Sequence, residues 1–244
     1  MISAAIEKIK ELCDPYVFEF GGKTFLANKS GDDYKEVKPE LEMVESINLS
    51  SLDAMIAFVK NEAISIHKRV YITIPDHTTV KCFTAPYEDL RKKREYLYTA
   101  KATDVPGWQE KVALSFEEAL IALRTRFQPA TDTDYALRLL SNITTGGKVT
   151  YNDNGVATSI IIKRGIDLQN NENIKPIIKL RPYRTFQEVE QPESQFLIRI
   201  SERNITFIEA DGGMWKLEAR NTVRKYLEDA LKRELEEDKV IIVL

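Results

Sequence analysis

The chain is predicted to fold as an α+β protein, with antiparallel sheets, a helical middle segment and a long C-terminal helix followed by a short strand. Three features carry that prediction. Short runs rich in Val, Ile, Thr, Phe and Tyr recur between Pro, Asn and Gly, most densely from Lys175 to Glu209. Apolar residues at helical spacing mark 115–127, 132–142 and 214–236. The closing run KVIIVL, Lys239–Leu244, is strand-like and too apolar to be left in water.

The elements follow in order. Ile2, Ile6, Ile9 and Leu12 predict a helix over 3–12 with one apolar stripe. Tyr16–Phe20 alternates, Gly21-Gly22 turns the chain, and Lys23–Ala27 returns, the signature of a hairpin. Residues 28–40 read as a polar surface loop and Glu42–Ile47 as a short strand. Asn48 to Ser51 offer caps for a helix in which Leu52, Met55, Ile56 and Val59 line one face. Residues 69–74 and 78–84 flank Pro75-Asp76-His77 as a second hairpin. In EYLYTAKA, Glu95–Ala102, Tyr and Thr favour strand while Ala, Glu and Lys favour helix, so both stay open.

Ser115 and Glu118 form a capping box ahead of a helix over 115–127. A second helix is expected at about 132–142, then a hairpin made of 148–151 and 156–164, then a polar loop at 167–174. Strands are expected at 176–180, 183–190, 195–200 and 205–209, joined as an antiparallel meander. Asp211-Gly212-Gly213 turns the chain into a helix over 214–236, with a seam of Leu217, Val223, Leu227, Leu231 and Leu235. The loop near 128–131 is the candidate boundary between an N-terminal αβ region, 1–130, and a C-terminal sheet with the long helix, 131–244.

Composition narrows the function classes. A formal charge of -3 provides no general basic field, so any contact with nucleic acid must come from a local face. Cys13 and Cys82 lie too far apart for a paired-Cys zinc site and are expected as core thiols in a reducing cytoplasm. No run approaches the roughly 20 apolar residues of a membrane helix, and Glu and Lys within the N-terminal pattern make it amphipathic rather than a signal peptide. No membrane partner, no metal and no cofactor are expected.

The candidate chemistry gathers between Arg181 and Arg220. Glu188 and Glu190 fall on one face of the expected strand 183–190, with Glu193, Glu209 and Asp211 on neighbouring segments. Convergence of two or three of these on Mg²⁺, with Lys179 or Lys216 nearby, would make a metal-dependent nuclease or phosphodiesterase. A solvated sheet face is the alternative account of the same carboxylates. Arg181, Tyr183, Arg184, Arg199, Arg203, Phe186 and Trp215 combine guanidinium forks with aromatic faces, which suits a single-stranded nucleic acid or a nucleotide-like ligand. Phe186, Phe196 and Phe207 also fit core positions. The residues folding leaves unexplained are Arg181, Tyr183, Arg184, Glu188, Glu190 and Trp215, the ligand-binding candidates. Outside this stretch, Arg91–Arg94 is a short basic run diluted by Glu88, Asp89 and Glu95, and His67 and His77 read as a helix-exit and a turn residue. Gly212-Gly213 reads as a tight turn needing positive φ, since Asp211 would repel an anion there.

LRPYRTFQEVEQPESQFLIRI, Leu180–Ile200, followed by FIEADGGMWKLEA, Phe207–Ala219, resembles a family of uncharacterised early-region proteins of tailed phages and prophages. SLDAMIAFVK and NGVATSIIIKRGI sit where that family would place them. The resemblance implies a protein made early in infection and working in the host cytoplasm, and it supplies no catalytic residues. The resulting expectation is a non-enzymatic, oligomeric accessory protein acting in nucleic-acid metabolism or host manipulation. The alternatives are sequestration of a nucleotide-like host defence signal and the metal-dependent enzyme.

Overall fold

A computed structural model describes residues 16–27, 34–37, 45–86, 94–108, 111–146, 148–153, 158–164, 168–201 and 203–244. The chain packs as two compact units, Met1–Val44 and Glu45–Leu244. In the first, β1 (Tyr16–Phe20), β2 (Lys23–Ala27) and β3 (Tyr34–Glu36) form an antiparallel sheet in that order. Gly21 and Gly22 take φ of 59° and 74°, the left-handed backbone a two-residue hairpin turn requires. The predicted hairpin is present, and β3 adds a strand where a loop was expected. The predicted helix over 3–12 and Cys13 lie outside the described residues.

The second unit begins with β4 (Ile47–Leu49), displaced from the predicted 42–47, of which 42–44 lie outside the described residues. The helix α1 (Leu52–Phe58) starts at Ser51, whose hydroxyl accepts from the Ala54 N–H at 3.1 Å. It continues through a π-helical stretch, Val59–Ala63, and one further turn to Ile66. Strands β5 (Val70–Asp76), β6 (Thr79–Thr84) and β7 (Tyr96–Lys101) follow, so the ambiguous 95–102 segment is a strand. Tertiary pairing decides it: β7 is bonded to β6 on one side and β4 on the other.

Next come β8 (Leu114–Ser115), α2 (Phe116–Thr125), β9 (Phe127–Gln128) and α3 (Thr133–Gly146). The Ser115–Glu118 capping box is complete, each side chain satisfying the other's backbone. An antiparallel sheet of β10 (Lys148–Asp153), β11 (Thr158–Arg164) and β12 (Leu168–Ile174) follows. Of the polar loop predicted at 167–174, residues 168–174 are therefore a strand, and 167 lies outside the described residues. The low propensity of this strand is overridden by a seven-residue ladder with β11, and as an edge strand it tolerates polar residues.

The predicted meander is β13 (Ile177–Pro182), β14 (Ser194–Ile200) and β15 (Asn204–Glu209). The strand expected at 183–190 is absent. Residues 183–193 form an irregular loop because the Gln191 side chain takes the place of a neighbouring strand. Its carbonyl oxygen accepts from the Arg184 and Thr185 N–H groups at 2.8 and 3.0 Å, and its amide donates to the Phe186 carbonyl at 2.8 Å. Gly212 and Gly213, at φ 65° and 81°, make the expected turn into α4 (Trp215–Ala230). The helix predicted over 214–236 breaks at Leu231, with α5 (Lys232–Glu236) continuing before β16 (Val240–Val243).

Two five-stranded sheets organise this unit. The order β16-β5-β6-β7-β4 is antiparallel at its centre, with a parallel strand at each edge. Its inner face, with Val70, Ile72, Val80 and Cys82, packs on Leu52 and Met55 of α1, on Val59 of the π-helical stretch and on Val223 and Leu227 of α4. The order β8-β15-β14-β13-β9 is antiparallel and backed by α2 and α3 through Leu123, Leu139, Leu140, Ile178, Phe196 and Phe207. Loop 183–193 links them, since it leaves β13 of the second sheet and inserts Phe186 and Val189 into the first core. Pairing of β9 with β13 and of Glu193 with Thr131 ties the chain on both sides of the 128–131 loop.

Candidate functional site

The six residues singled out from the sequence separate into four places. Glu188 accepts from the Leu52 N–H at 2.8 Å, capping α1 from 136 residues away. Arg181 pairs with Glu190 at the surface and reaches Glu193 at 3.9 Å. Tyr183 is partly buried, and its N–H donates to the Arg126 carbonyl at 3.0 Å.

Arg184 and Trp215 do come together. The guanidinium lies 4.3 Å from the Trp215 ring centroid and 5.3 Å from that of Phe196, and it is paired with Glu209. His77 and the same indole meet edge to face, their ring centroids 4.7 Å apart. Burial holds the His77 pKa below its ordinary value; Asp76 acts to raise it, while Lys216 and Arg184 add to the lowering. With Arg184 and Trp215 8% and 5% exposed, this cluster is a packed joint between the β5–β6 turn and the start of α4.

The carboxylates do not converge. Glu188 binds a helix N-terminus, Glu190 a guanidinium, Glu193 the Thr131 N–H and hydroxyl, Glu209 the Arg184 side chain, and Asp211 the Gly213 N–H. Among the described residues no group of three His, Cys, Asp or Glu could hold a metal. Burial pushes the Cys82 thiol up to about 12, which removes it as a nucleophile at neutral pH.

A different surface has the chemistry that the Arg/aromatic set was expected to supply. On β5, β6 and β7 the residues Ile72, Cys82 and Tyr98 turn inward, so Tyr71, Phe83 and Tyr96 belong to the opposite face. Tyr71 and Phe83 are cross-strand partners with rings 5.7 Å apart and 9° from parallel, and Phe83 and Tyr96 are partners at 5.7 Å. A register shift between Cys82 and Phe83 builds this row. Regular pairing would set Phe83 opposite Leu97. The shift lets Leu97 and Tyr98 both be buried and aims Tyr96, 55% exposed, outward beside Phe83.

Cations flank the row. Arg94, exposed, sits 4.9 Å from the Tyr71 centroid and 5.3 Å from that of Phe83, and donates to the Thr84 carbonyl at 3.2 Å. The Lys81 ammonium lies 5.8 Å from the Tyr96 centroid. Arg94 closes the basic run seen in the sequence; Arg91–Lys93 lie outside the described residues. At the β16 side of the row, Tyr71 forms a wall of a surface cavity of about 580 Å³ shared with His67–Arg69, Thr84–Pro86 and Glu237–Lys239. None of Tyr71, Phe83 and Tyr96 belongs to either core, so folding does not account for three aromatic rings in register.

The alternation in RVYITI and TTVKCFT is visible in the sequence, and so is Arg94. Strand adjacency and the register shift, which turn them into one row, are not. Compared with protein-family models, curated proteins and solved structures, the chain matches none.

Proposed function

We propose that the protein binds single-stranded nucleic acid without catalysing a reaction on it, through the Tyr71–Phe83–Tyr96 row and its cations. The observation that carries this reading is the in-register aromatic row with Arg94 over two of its rings. Unstacked bases have π-faces that lie on aromatic rings and guanidinium planes, and Lys and Arg beside them meet the phosphates. The surface is local, as a chain of net charge -3 requires. The setting is the one the sequence resemblance implies, a protein made early in phage infection and active in the host cytoplasm; its self-association is proposed from the apolar C-terminal strand.

Fluorescence anisotropy with a labelled oligothymidylate tests the reading. Binding is expected at low salt and should weaken as salt rises. Tyr96→Ala and Arg94→Ala, both on the surface, should each lower affinity roughly tenfold, given about 1–3 kcal/mol per stacked base. Arg181→Ala should leave it unchanged. A wild-type protein that binds no oligonucleotide at low salt, or an undiminished Tyr96→Ala/Arg94→Ala double variant, overturns it.

A further inference from the structure

We infer that the cavity at the end of the aromatic row is a base-recognition pocket for guanine; this rests on the nucleic-acid reading of the row. The cavity volume, about 580 Å³, falls within the roughly 300–1,000 Å³ of small-ligand sites. Tyr71 is shared between row and cavity, so a base leaving the row passes along one continuous aromatic wall.

The rest of the lining carries both signs of charge, which suits a base edge better than a phosphate. Lys68, Arg69 and Lys239 donate, while Glu237 and Asp238 accept and would repel an anion. The two signs are held side by side. Lys239 contacts Glu237 at 2.8 Å, and the Arg69 Nε donates to the Asp238 carbonyl at 3.0 Å, with its fork 4.0 Å from the Asp238 carboxylate. Hydrogen bonds from Lys239 and Arg233 hold the Glu237 pKa down to about 2, so it is an ionised acceptor at any physiological pH. The side chains remain accessible: Arg69 is 42% and Asp238 82% exposed.

Guanine matches this lining. Its Watson–Crick edge presents two adjacent N–H donors, N1–H and the N2 amine, which the exposed Asp238 carboxylate takes with both oxygens, those of Glu237 being engaged by Arg233 and Lys239. Its O6 and N7 accept from a Lys or Arg. Adenine, cytosine and thymine lack that adjacent donor pair. The guanine could come from a strand lying on the row or from a free nucleotide.

The experiment compares a twelve-residue oligothymidylate with the same strand carrying one central guanine or one central hypoxanthine, which lacks the N2 amine. Guanosine 5′-monophosphate is titrated separately by calorimetry. The guanine strand is expected to bind about tenfold tighter than oligothymidylate, and hypoxanthine to lose most of that gain. Asp238→Asn should bring the guanine-to-thymine affinity ratio close to one; asparagine tolerates the left-handed φ of 57° at 238. Tight binding of the mononucleotide, competing with the guanine strand, supports the pocket and identifies the free nucleotide as its ligand. Equal affinity for all three strands with no mononucleotide binding overturns the pocket and leaves the aromatic row standing. Failure of every strand and of the mononucleotide to bind overturns both.

Discussion

Gln191 has more influence on this structure than its residue type suggests. It is 1% exposed, and its amide bonds the backbone of Arg184, Thr185 and Phe186. Loop 183–193 is thereby fixed without a strand on either side. Leucine at this position has similar bulk but no polar atoms, and would leave two buried N–H groups and a carbonyl unpaired. Gln191→Leu is expected to lower unfolding free energy by about 3 kcal/mol, at the upper end of the cost of stranding buried polar groups. Urea denaturation measures this, and a loss below about 1 kcal/mol would mean that the loop holds its shape by packing alone. Glu188 and Glu190 show how little a residue's type says about its task. Two positions apart in sequence, one caps a helix and the other meets an arginine on the surface.

At the scale of elements, β16 behaves differently from a strand that merely closes the fold. It pairs in parallel with β5 from Val240↔Val70 to Val243↔Thr73, and it lies at the edge of its sheet. Its sequence, VIIV, has no Lys, Pro or charge of the kind that blunts an edge. Val243 is 47% exposed. Antiparallel pairing of this edge with its copy across a two-fold axis is the simplest route to the self-association proposed above. Sedimentation equilibrium should show a dimer that Val243→Lys shifts toward monomer. A monomer at all concentrations, or a dimer indifferent to that substitution, counts against it. The register shift in β6–β7 is the other decisive element-scale feature, because one displaced residue exchanges Leu97 for Tyr96 on the open face.

For the whole molecule, pH acts through two sets of groups. The folded-state pKa of His77 is depressed, first by burial, so the folded protein binds its proton less readily than the unfolded chain. Its contribution is complete above the unfolded value of about 6.5 and declines as pH falls below that toward the folded pKa. Asp132 and Glu193 also have depressed pKa values. Burial is the largest single influence and works to raise both, but it is outweighed together by backbone N–H donors, Lys179 for Asp132 and Thr131 for Glu193, and by side chains including Lys175, Lys179, Thr131 and Arg181. Their contributions are present above about pH 4 and are lost as pH falls through the folded pKa values. Melting temperature is therefore expected to fall in two stages on acidification. His77→Gln should flatten the first stage, which begins as pH falls below about 6.5, and leave the second. An unchanged first stage in that variant would remove His77 as its origin.

Local patterns sufficed for much of this protein. The α+β class, the Gly21-Gly22 and Gly212-Gly213 turns, the Ser51 and Ser115 caps, and the placement of most helices and strands follow from period, capping chemistry and positive φ, all of which act over a few residues. Long-range pairing was needed for the remainder. Polar 168–174 became a strand because β11 lay beside it, and 183–190 did not because a glutamine amide filled its hydrogen bonds. The aromatic row is the same kind of case: Tyr71, Phe83 and Tyr96 come from three strands, and whether they meet depends on adjacency and register. Those are properties of contacts between distant segments, which composition and spacing along the chain do not encode.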